Sequence, residues 1–204
     1  MLYLIRHGLA ASGLDELDPE LSELGHRQAQ VTAESVTDLK GARLVVSPLR
    51  RTRETAAPIA ALFEIEPEVR SEVSEVFASS MTPDERKGML GPFMAGRWSE
   101  QTDELKVWRG RLLVTLDGLA GATDTKGGDA VIVSHYIAIA AAIGSTTGDD
   151  RVVPSPIANC SITRLSRLDG RLTLFEAASV AHLNEGLVTG TGQALPGTSS
   201  QGSG

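Results

Sequence analysis

The 204-residue chain contains one cysteine, two tryptophans and only 4% aromatic residues. A lone Cys160 excludes an internal disulfide and makes a cysteine-rich zinc site implausible. Its expected state is that of a small buried hydrophobe. With so few aromatics, the core has to be assembled from Leu, Val, Ile and Ala. No stretch approaches the ~20 apolar residues of a membrane span. The opening Met-Leu-Tyr-Leu-Ile-Arg also lacks a long apolar run, so the reading is of a cytoplasmic protein with no membrane partner. Basic residues are in the minority, 19 against 26 acidic, for a net charge of -7. That balance argues against nucleic acid as the main partner. A phosphorylated ligand would need a local cluster of arginines to reverse the field.

What is present fits one globular domain large enough to fold without a staple. Residues 2–6 read as a buried strand that opens into Arg6-His7-Gly8. An acidic loop follows, with Asp15, Glu16, Asp18 and Glu20. A helix is predicted from Ser22, its N-cap, to Gly41, with Leu24, Val31, Val36 and Leu39 on its apolar side. The second strand, Leu44-Val45-Val46, runs into Ser47-Pro48. Serine as N-cap with proline at the first helical position predicts a helix from there to about Phe63. A short strand is expected near 68–71. Pro83, Gly88, Gly91, Pro92 and Gly96 break up residues 76–98, which read as an insertion with one or two short helices. A longer helix is expected over 100–119 and a loop over 121–128.

The apolar run Ala130-Val131-Ile132-Val133 suits a parallel-sheet core. It ends in Ser134-His135-Tyr136, and a helix rich in Ala and Ile follows to about Gly144. Strands near 161–166 and 172–178 flank Asp169-Gly170 and should form a hairpin. The domain is expected to span 1–186, with 187–204 a flexible tail because it is rich in Gly, Ser and Thr. Alternating strands and helices predict an α/β fold: a three-layer α/β/α sandwich with a mostly parallel central sheet and a helical insertion.

Ligands of such sheets bind beyond the C-terminal strand ends. Three polar groups fall there: Arg6-His7-Gly8, Ser47 to Arg51, and Ser134-His135. A neutral imidazole can attack phosphorus and carry a covalent intermediate. Arginine offers paired, permanently charged donors to phosphoryl oxygens, and a helix N-terminus adds partial positive charge. Arg50 and Arg53 point in other directions from Arg51 on a helix, so at most two of the three reach one anion. Singly, each feature has a plain structural reading; their coincidence points to phosphoryl transfer.

Leu4-Ile5-Arg6-His7-Gly8 resembles the signature of the histidine phosphatase superfamily, which includes the cofactor-dependent phosphoglycerate mutases. The resemblance runs through Leu21-Ser22, Gly25, Gln28 and Ala29, then Ser47 to Thr55 and Val133-Ser134-His135. It ends with Asn159-Cys160-Ser161-Ile162 and Ala181-His182-Leu183, which look like the small-phosphatase branch. It implies His7 as nucleophile, a phosphate pocket of Arg6, Arg51 and protonated His135, and an acid that donates to the leaving group. Glu75 is the choice for that acid, with Glu72 its competitor. It also implies a small phosphorylated metabolite as partner, with no cofactor and no metal. Ala10 and Gly13 stand where mutases and many phosphatases carry polar side chains, and Tyr136 stands where glycine is usual. Hydrolysis is therefore favoured over mutase transfer, with a weakly catalytic phosphate-binding module as a further reading. A metallohydrolase built on His7, His135 and a carboxylate has no local ligand pair in its favour. His26 is expected at the surface and His182 in a structural place near the site. Specificity is expected from 76–98, with a small apolar pocket guessed from Phe77, Phe93, Met94 and Trp98. Trp98 and Trp108 are otherwise expected to pack in the core. Nothing in the sequence marks an oligomer interface.

Overall fold

A computed structural model describes residues 1–12, 16–77, 81–126 and 128–191. Its centre is a six-stranded sheet in the order β3-β2-β4-β1-β5-β6. The strands are β1 (Leu2–Arg6), β2 (Arg43–Val46), β3 (Glu68–Val69), β4 (Ala130–Ser134), β5 (Ile162–Leu168) and β6 (Arg171–Ser179). The first four in spatial order run parallel, and β5 and β6 add an antiparallel edge. Asp169 and Gly170 both have positive φ, 50° and 77°, so their two-residue turn has the backbone hand that suits a tight hairpin.

The core is visible as alternation on β4. Ala130 and Ile132 face one side, with Leu2, Leu4 and the helices α4 (Asp103–Lys126) and α5 (Tyr136–Thr147). Val131 and Val133 face the other side, with Ile5, Val46 and the helices α1 (Glu23–Ser35) and α2 (Arg50–Phe63). A strand buried on both faces needs a continuous apolar run, which β4 has. The expected α/β/α sandwich is the architecture that forms.

Several local expectations change. The α2 helix begins at Arg50, after Leu49, and Ser47 is not its N-cap. The buried face of α1 is Gly25, Gln28, Ala29, Thr32 and Ala33, while Leu24 and Val31 join a small satellite cluster with Cys160, Leu183 and Leu187. Residues 83–95 form one continuous helix, α3 (Pro83–Ala95), despite Pro92 and two glycines. A capping box explains it: the Thr82 side chain accepts from the Glu85 N–H while the Glu85 carboxylate accepts from the Thr82 N–H, with Pro83 entering the first turn. The expected loop from 121 is instead the end of α4. Phe77, Phe93 and Trp98 are core residues, 5%, 6% and 1% exposed, and Trp98 stacks on Trp108 at 6.1 Å. Phe93 meets Phe77 and Trp98 edge to face, so these side chains pack on one another as core. Leu187 is buried and 188–190 lie against the domain, so ordered chain continues past the boundary expected at 186. Residues 192–204 of the expected tail lie outside the described residues, as does Gly13.

Candidate active site

The three strand-end segments converge because β1 lies beside β4 and β4 beside β2. The chain leaves β1 with the His7 N–H donating to the Ser134 carbonyl at 3.0 Å. It then turns against the N-terminal end of α1. A Cβ at Gly25 would lie 2.2 Å from the Leu9 carbonyl oxygen, and one at Gly8 would lie 2.7 Å from the Gly25 oxygen. Only glycine at both places lets the loop and the helix approach this closely. The Gly8 N–H is held by Thr55 Oγ1 of α2 at 3.0 Å.

His7 is 8% exposed. Its Nδ1 lies 2.7 Å from the Gly8 carbonyl, an oxygen that can only accept, so Nδ1 carries the proton. Arg51 Nε donates to His7 Nε2 at 3.2 Å. Nε2 is therefore an acceptor with its lone pair in the site, the tautomer a nucleophile needs. His135, fully buried, is the neighbouring ring at 5.3 Å between centroids. Arg51 Nη2 lies 3.2 Å from its Nδ1 and Ser47 Oγ lies 2.8 Å from its Nε2. A guanidinium can only donate, which makes His135 Nδ1 the acceptor and puts the proton on Nε2, facing Ser47. Burial holds both imidazoles well below the ordinary 6.5, aided for each by the charge on Arg51. In the free protein a second cation beside Arg51 is therefore disfavoured; the protonated His135 expected from the sequence concerns the phosphate-bound state.

Among Arg50, Arg51 and Arg53, only Arg51 is buried, at 6% exposed. Arg50 is tied at the surface to Glu20 and Glu54. Its backbone N–H donates to Asp18 Oδ1 at 2.7 Å. The N-terminus of α2 is therefore capped by Asp18 from another loop, and the anion site expected there is taken by a side chain. Arg6 Nη1 donates to the carbonyls of Ile157 at 2.5 Å and Gly190 at 3.1 Å. Its guanidinium lies 4.7 Å from the Tyr136 ring centroid. Tyr136 is therefore a platform for Arg6. Burial lowers the Arg6 pKa to about 10. Arg6 Nε and Arg51 Nη1 are buried donors without a hydrogen-bond partner, an arrangement that costs stability; the Asp18 carboxylate, 3.8 Å from Arg51 Nη1, compensates only in part.

Glu75 follows a short 3-10 turn, Ser71–Val73, that is pinned to β4 by Ser134 Oγ donating to the Val73 carbonyl at 2.7 Å. Its Oε1 accepts from the Val76 N–H at 3.0 Å, and the Ile137 N–H at the start of α5 also reaches its carboxyl. Burial pushes its pKa above 4.5, against the opposing pull of those N–H groups, Arg51 and Arg6. Glu72 is exposed and pairs with Ser71, so only Glu75 is in the site. Arg86 of α3 escaped sequence reasoning. It is 7% exposed, donates to the carbonyls of Glu16 and Leu17, and lies close enough to interact with Glu75 and Arg51. The only available signal was the Thr82–Glu85 capping box, which places Arg86 in the first turns of a helix without saying what that helix covers.

His26 is exposed, and His182 Nε2 meets Thr32 Oγ1 at 3.1 Å, away from His7. Burial pushes the Cys160 thiol up to about 12. Among the described residues no group of three or more His, Cys, Asp or Glu could hold a metal ion. None of the described helices is long and apolar enough to cross a membrane.

The family model for the histidine phosphatase superfamily, branch 1, matches residues 2–178. A probable phosphoglycerate mutase of Photorhabdus laumondii is 29% identical over 188 residues, 80% of this chain and 83% of that protein. The fold is similar to YhfR of Bacillus stearothermophilus, with a TM-score of 0.73 at 18% identity over 89% of this chain and 98% of that one. It is also similar to phosphoserine phosphatase of Entamoeba histolytica bound to 3-phosphoglyceric acid, with a TM-score of 0.70 at 23% identity over 90% and 98%. A mycobacterial glucosyl-3-phosphoglycerate phosphatase bound to inorganic phosphate gives 0.70 at 21% identity over 90% and 99%. The chain is an enzyme of the histidine phosphatase superfamily, branch 1.

Proposed function

We propose that the enzyme hydrolyses phosphate monoesters through a phosphohistidine on His7, with Arg6, Arg51 and His135 binding the phosphoryl group and Glu75 as general acid and base. The observation that carries this reading is the His7 Nε2 lone pair, turned towards Arg51, beside buried Arg6 Nε and Arg51 Nη1, neither of which has a hydrogen-bond partner, although Arg51 Nη1 lies 3.8 Å from the Asp18 carboxylate. Nε2 attacks phosphorus as Arg51 Nε leaves it for a phosphoryl oxygen. The Nδ1–H bond to the Gly8 carbonyl steadies the positive charge that grows on the ring. The P–O ester bond breaks, and the Glu75 proton passes to the departing oxygen. The resulting carboxylate takes a proton from water, whose oxygen attacks phosphorus and frees His7 and inorganic phosphate. A bound dianion favours proton uptake on His135, which would convert Nδ1 from an acceptor for Arg51 to a donor for phosphate.

The shifted acidities suit these roles. With ordinary values of 6.5 for His7 and 4.5 for Glu75, only about 1% of molecules at pH 5.5 would hold a neutral histidine and a protonated acid together. Lowering the first and raising the second enlarges that fraction. Arg86 adds positive charge near Glu75, the group that would protonate the leaving oxygen. This favours esters whose alcohol part bears an acidic group, a property that phosphoserine and phosphoglyceric acid share.

The relative named as a probable phosphoglycerate mutase keeps mutase transfer as the second reading. Ala10 offers no polar side chain to retain a phosphoryl group during reorientation, which supports hydrolysis. Assay of wild type and His7→Ala on an aryl phosphate and on 3-phosphoglycerate, with EDTA present, separates these. Release of phosphate by wild type alone supports the hydrolase; isomerisation without net phosphate release supports the mutase; turnover by His7→Ala defeats both.

A further inference from the structure

Three polar residues that the phosphoryl chemistry leaves unassigned meet behind the nucleophile. Gln28 of α1 is fully buried. Its Oε1 accepts from the Leu9 N–H at 2.8 Å. Its Nε2 donates to the Leu187 carbonyl at 2.7 Å and to Thr189 Oγ1 at 2.8 Å. Thr189 Oγ1 in turn donates to Asn159 Oδ1 at 3.1 Å. Asn159 Nδ2 donates to the His7 carbonyl at 3.0 Å, and the Asn159 N–H donates to the Thr189 carbonyl at 2.9 Å. One residue further on, the Gly190 carbonyl accepts from Arg6 Nη1 at 3.1 Å. Residues 187–190 thus touch the loop after His7, the His7 carbonyl through Asn159, and Arg6 directly.

The directions of these bonds matter. Because the Thr189 hydroxyl accepts from Gln28, its own proton is free to go to Asn159. That fixes the Asn159 oxygen on Thr189 and its amide nitrogen on His7. A reversed Asn159 would set two carbonyl-type oxygens against each other beside the nucleophile. Gly190 completes the arrangement at a φ of 74°, where an added Cβ would lie 2.5 Å from Asn159 Oδ1 and 2.7 Å from Arg6 Nη1. No side chain fits there without displacing one of them.

We propose that Gln28, Thr189 and Asn159, closed by the Gly190 carbonyl, are positioning residues that set the orientation of His7 and Arg6 for phosphoryl transfer, with the Thr189 hydroxyl fixing the sense of the network. This rests on the reading of His7 as nucleophile. Positioning errors of about 1 Å can cost on the order of 100-fold in rate, so loss of one link in the network should be read in kcat.

The test uses the full chain as wild type, Thr189→Val, Thr189→Ser and His7→Ala, with 4-nitrophenyl phosphate as probe. The valine keeps the shape and removes the hydroxyl; Thr189→Ala serves if the valine variant does not fold. The expected result is a roughly ten-fold fall in kcat for Thr189→Val, a smaller change in KM, and recovery of wild-type kcat in Thr189→Ser. The imidazole 15N resonances of His7 read the same geometry without turnover. They should shift in Thr189→Val and coincide with wild type in Thr189→Ser. Wild-type kcat and unshifted resonances in Thr189→Val, or equal losses in the valine and serine variants, would overturn the proposal. Full turnover by His7→Ala, or none by wild type, instead defeats the underlying reading, and the resonances still decide whether the network orients His7.

Discussion

Replacing Glu75 by Gln keeps the shape of the side chain and its bond from the Val76 N–H but removes the exchangeable acidic proton. The proposed chemistry uses that carboxyl twice, first to protonate the ester oxygen and then to activate water. General acid catalysis is worth about 100- to 10,000-fold, and its value rises with the basicity of the leaving group. An alkyl phosphate, whose alkoxide leaves poorly, should therefore lose the full factor in Glu75→Gln. With 4-nitrophenyl phosphate the leaving group needs no proton, so transfer to His7 should stay fast while hydrolysis of the phosphohistidine slows. Stopped-flow absorbance should then show a burst approaching one nitrophenolate per enzyme, followed by a steady rate lowered about 100-fold or more. The structure gives this variant little reason to unfold, since burial disfavours the charged carboxylate and the amide is neutral. Equal losses on both esters with no burst would refute the assignment, as would a loss of only a few-fold on the alkyl ester.

Four other outcomes are expected. Arg86→Met should lower kcat/KM for phosphoserine about ten-fold more than for an ester with an uncharged alcohol, as expected from losing one charge-assisted contact; equal losses in steady-state assays would leave Arg86 as a tie to the Glu16–Leu17 loop only. Gly25→Ala should destabilise the fold by about 1–3 kcal/mol and depress kcat, because its Cβ would meet the Leu9 oxygen at 2.2 Å; unchanged denaturant melts would contradict the close packing. His7 and His135 are held neutral in the fold but protonate in the unfolded chain near 6.5, so the stability they contribute is intact above that pH and is lost as pH falls below it. The two histidines alone would cost about 2 kcal/mol between pH 6.5 and 5.5, and Glu75, raised above 4.5, opposes this in part; greater stability on acidification in urea titrations would contradict it. Ser47→Ala should weaken phosphate binding through His135, whose Nε2 loses its 2.8 Å partner, and calorimetry with inorganic phosphate measures it.

The sequence made the sheet and the strand-end site legible because both depend on local runs. The stretch Ala130 to Val133 is apolar at every position and ends abruptly in Ser134-His135, so strand, boundary and strand-end histidine could be read together. The same holds for Leu2 to His7. Where the reading failed, a tertiary contact had overridden a local preference. Ser47-Pro48 is a good local helix start, yet Ser47 is drawn to His135 and Asp18 caps the helix instead. On α1 the buried face is small and polar because Gln28 and Thr32 bond to distant segments; hydrophobic spacing could not reveal that. Residues 187–190 looked like tail because they lack charge; hydrogen bonds to Gln28, Asn159 and Arg6 and the burial of Leu187 against Cys160 and Leu183 hold them in place. Arg86 was missed because a charged residue on an otherwise exposed helix reads as solvated, and the capping box that starts the helix does not say what the helix covers.

The central claim is a covalent phosphoryl group on His7 Nε2. Wild type mixed with 4-nitrophenyl phosphate in the presence of EDTA, quenched rapidly in alkali and mapped by mass spectrometry, should carry one phosphoryl group on the peptide containing His7. His7→Ala should carry none. A phosphoryl group on any other residue, or active wild type with no phosphoenzyme even in Glu75→Gln, would contradict the account.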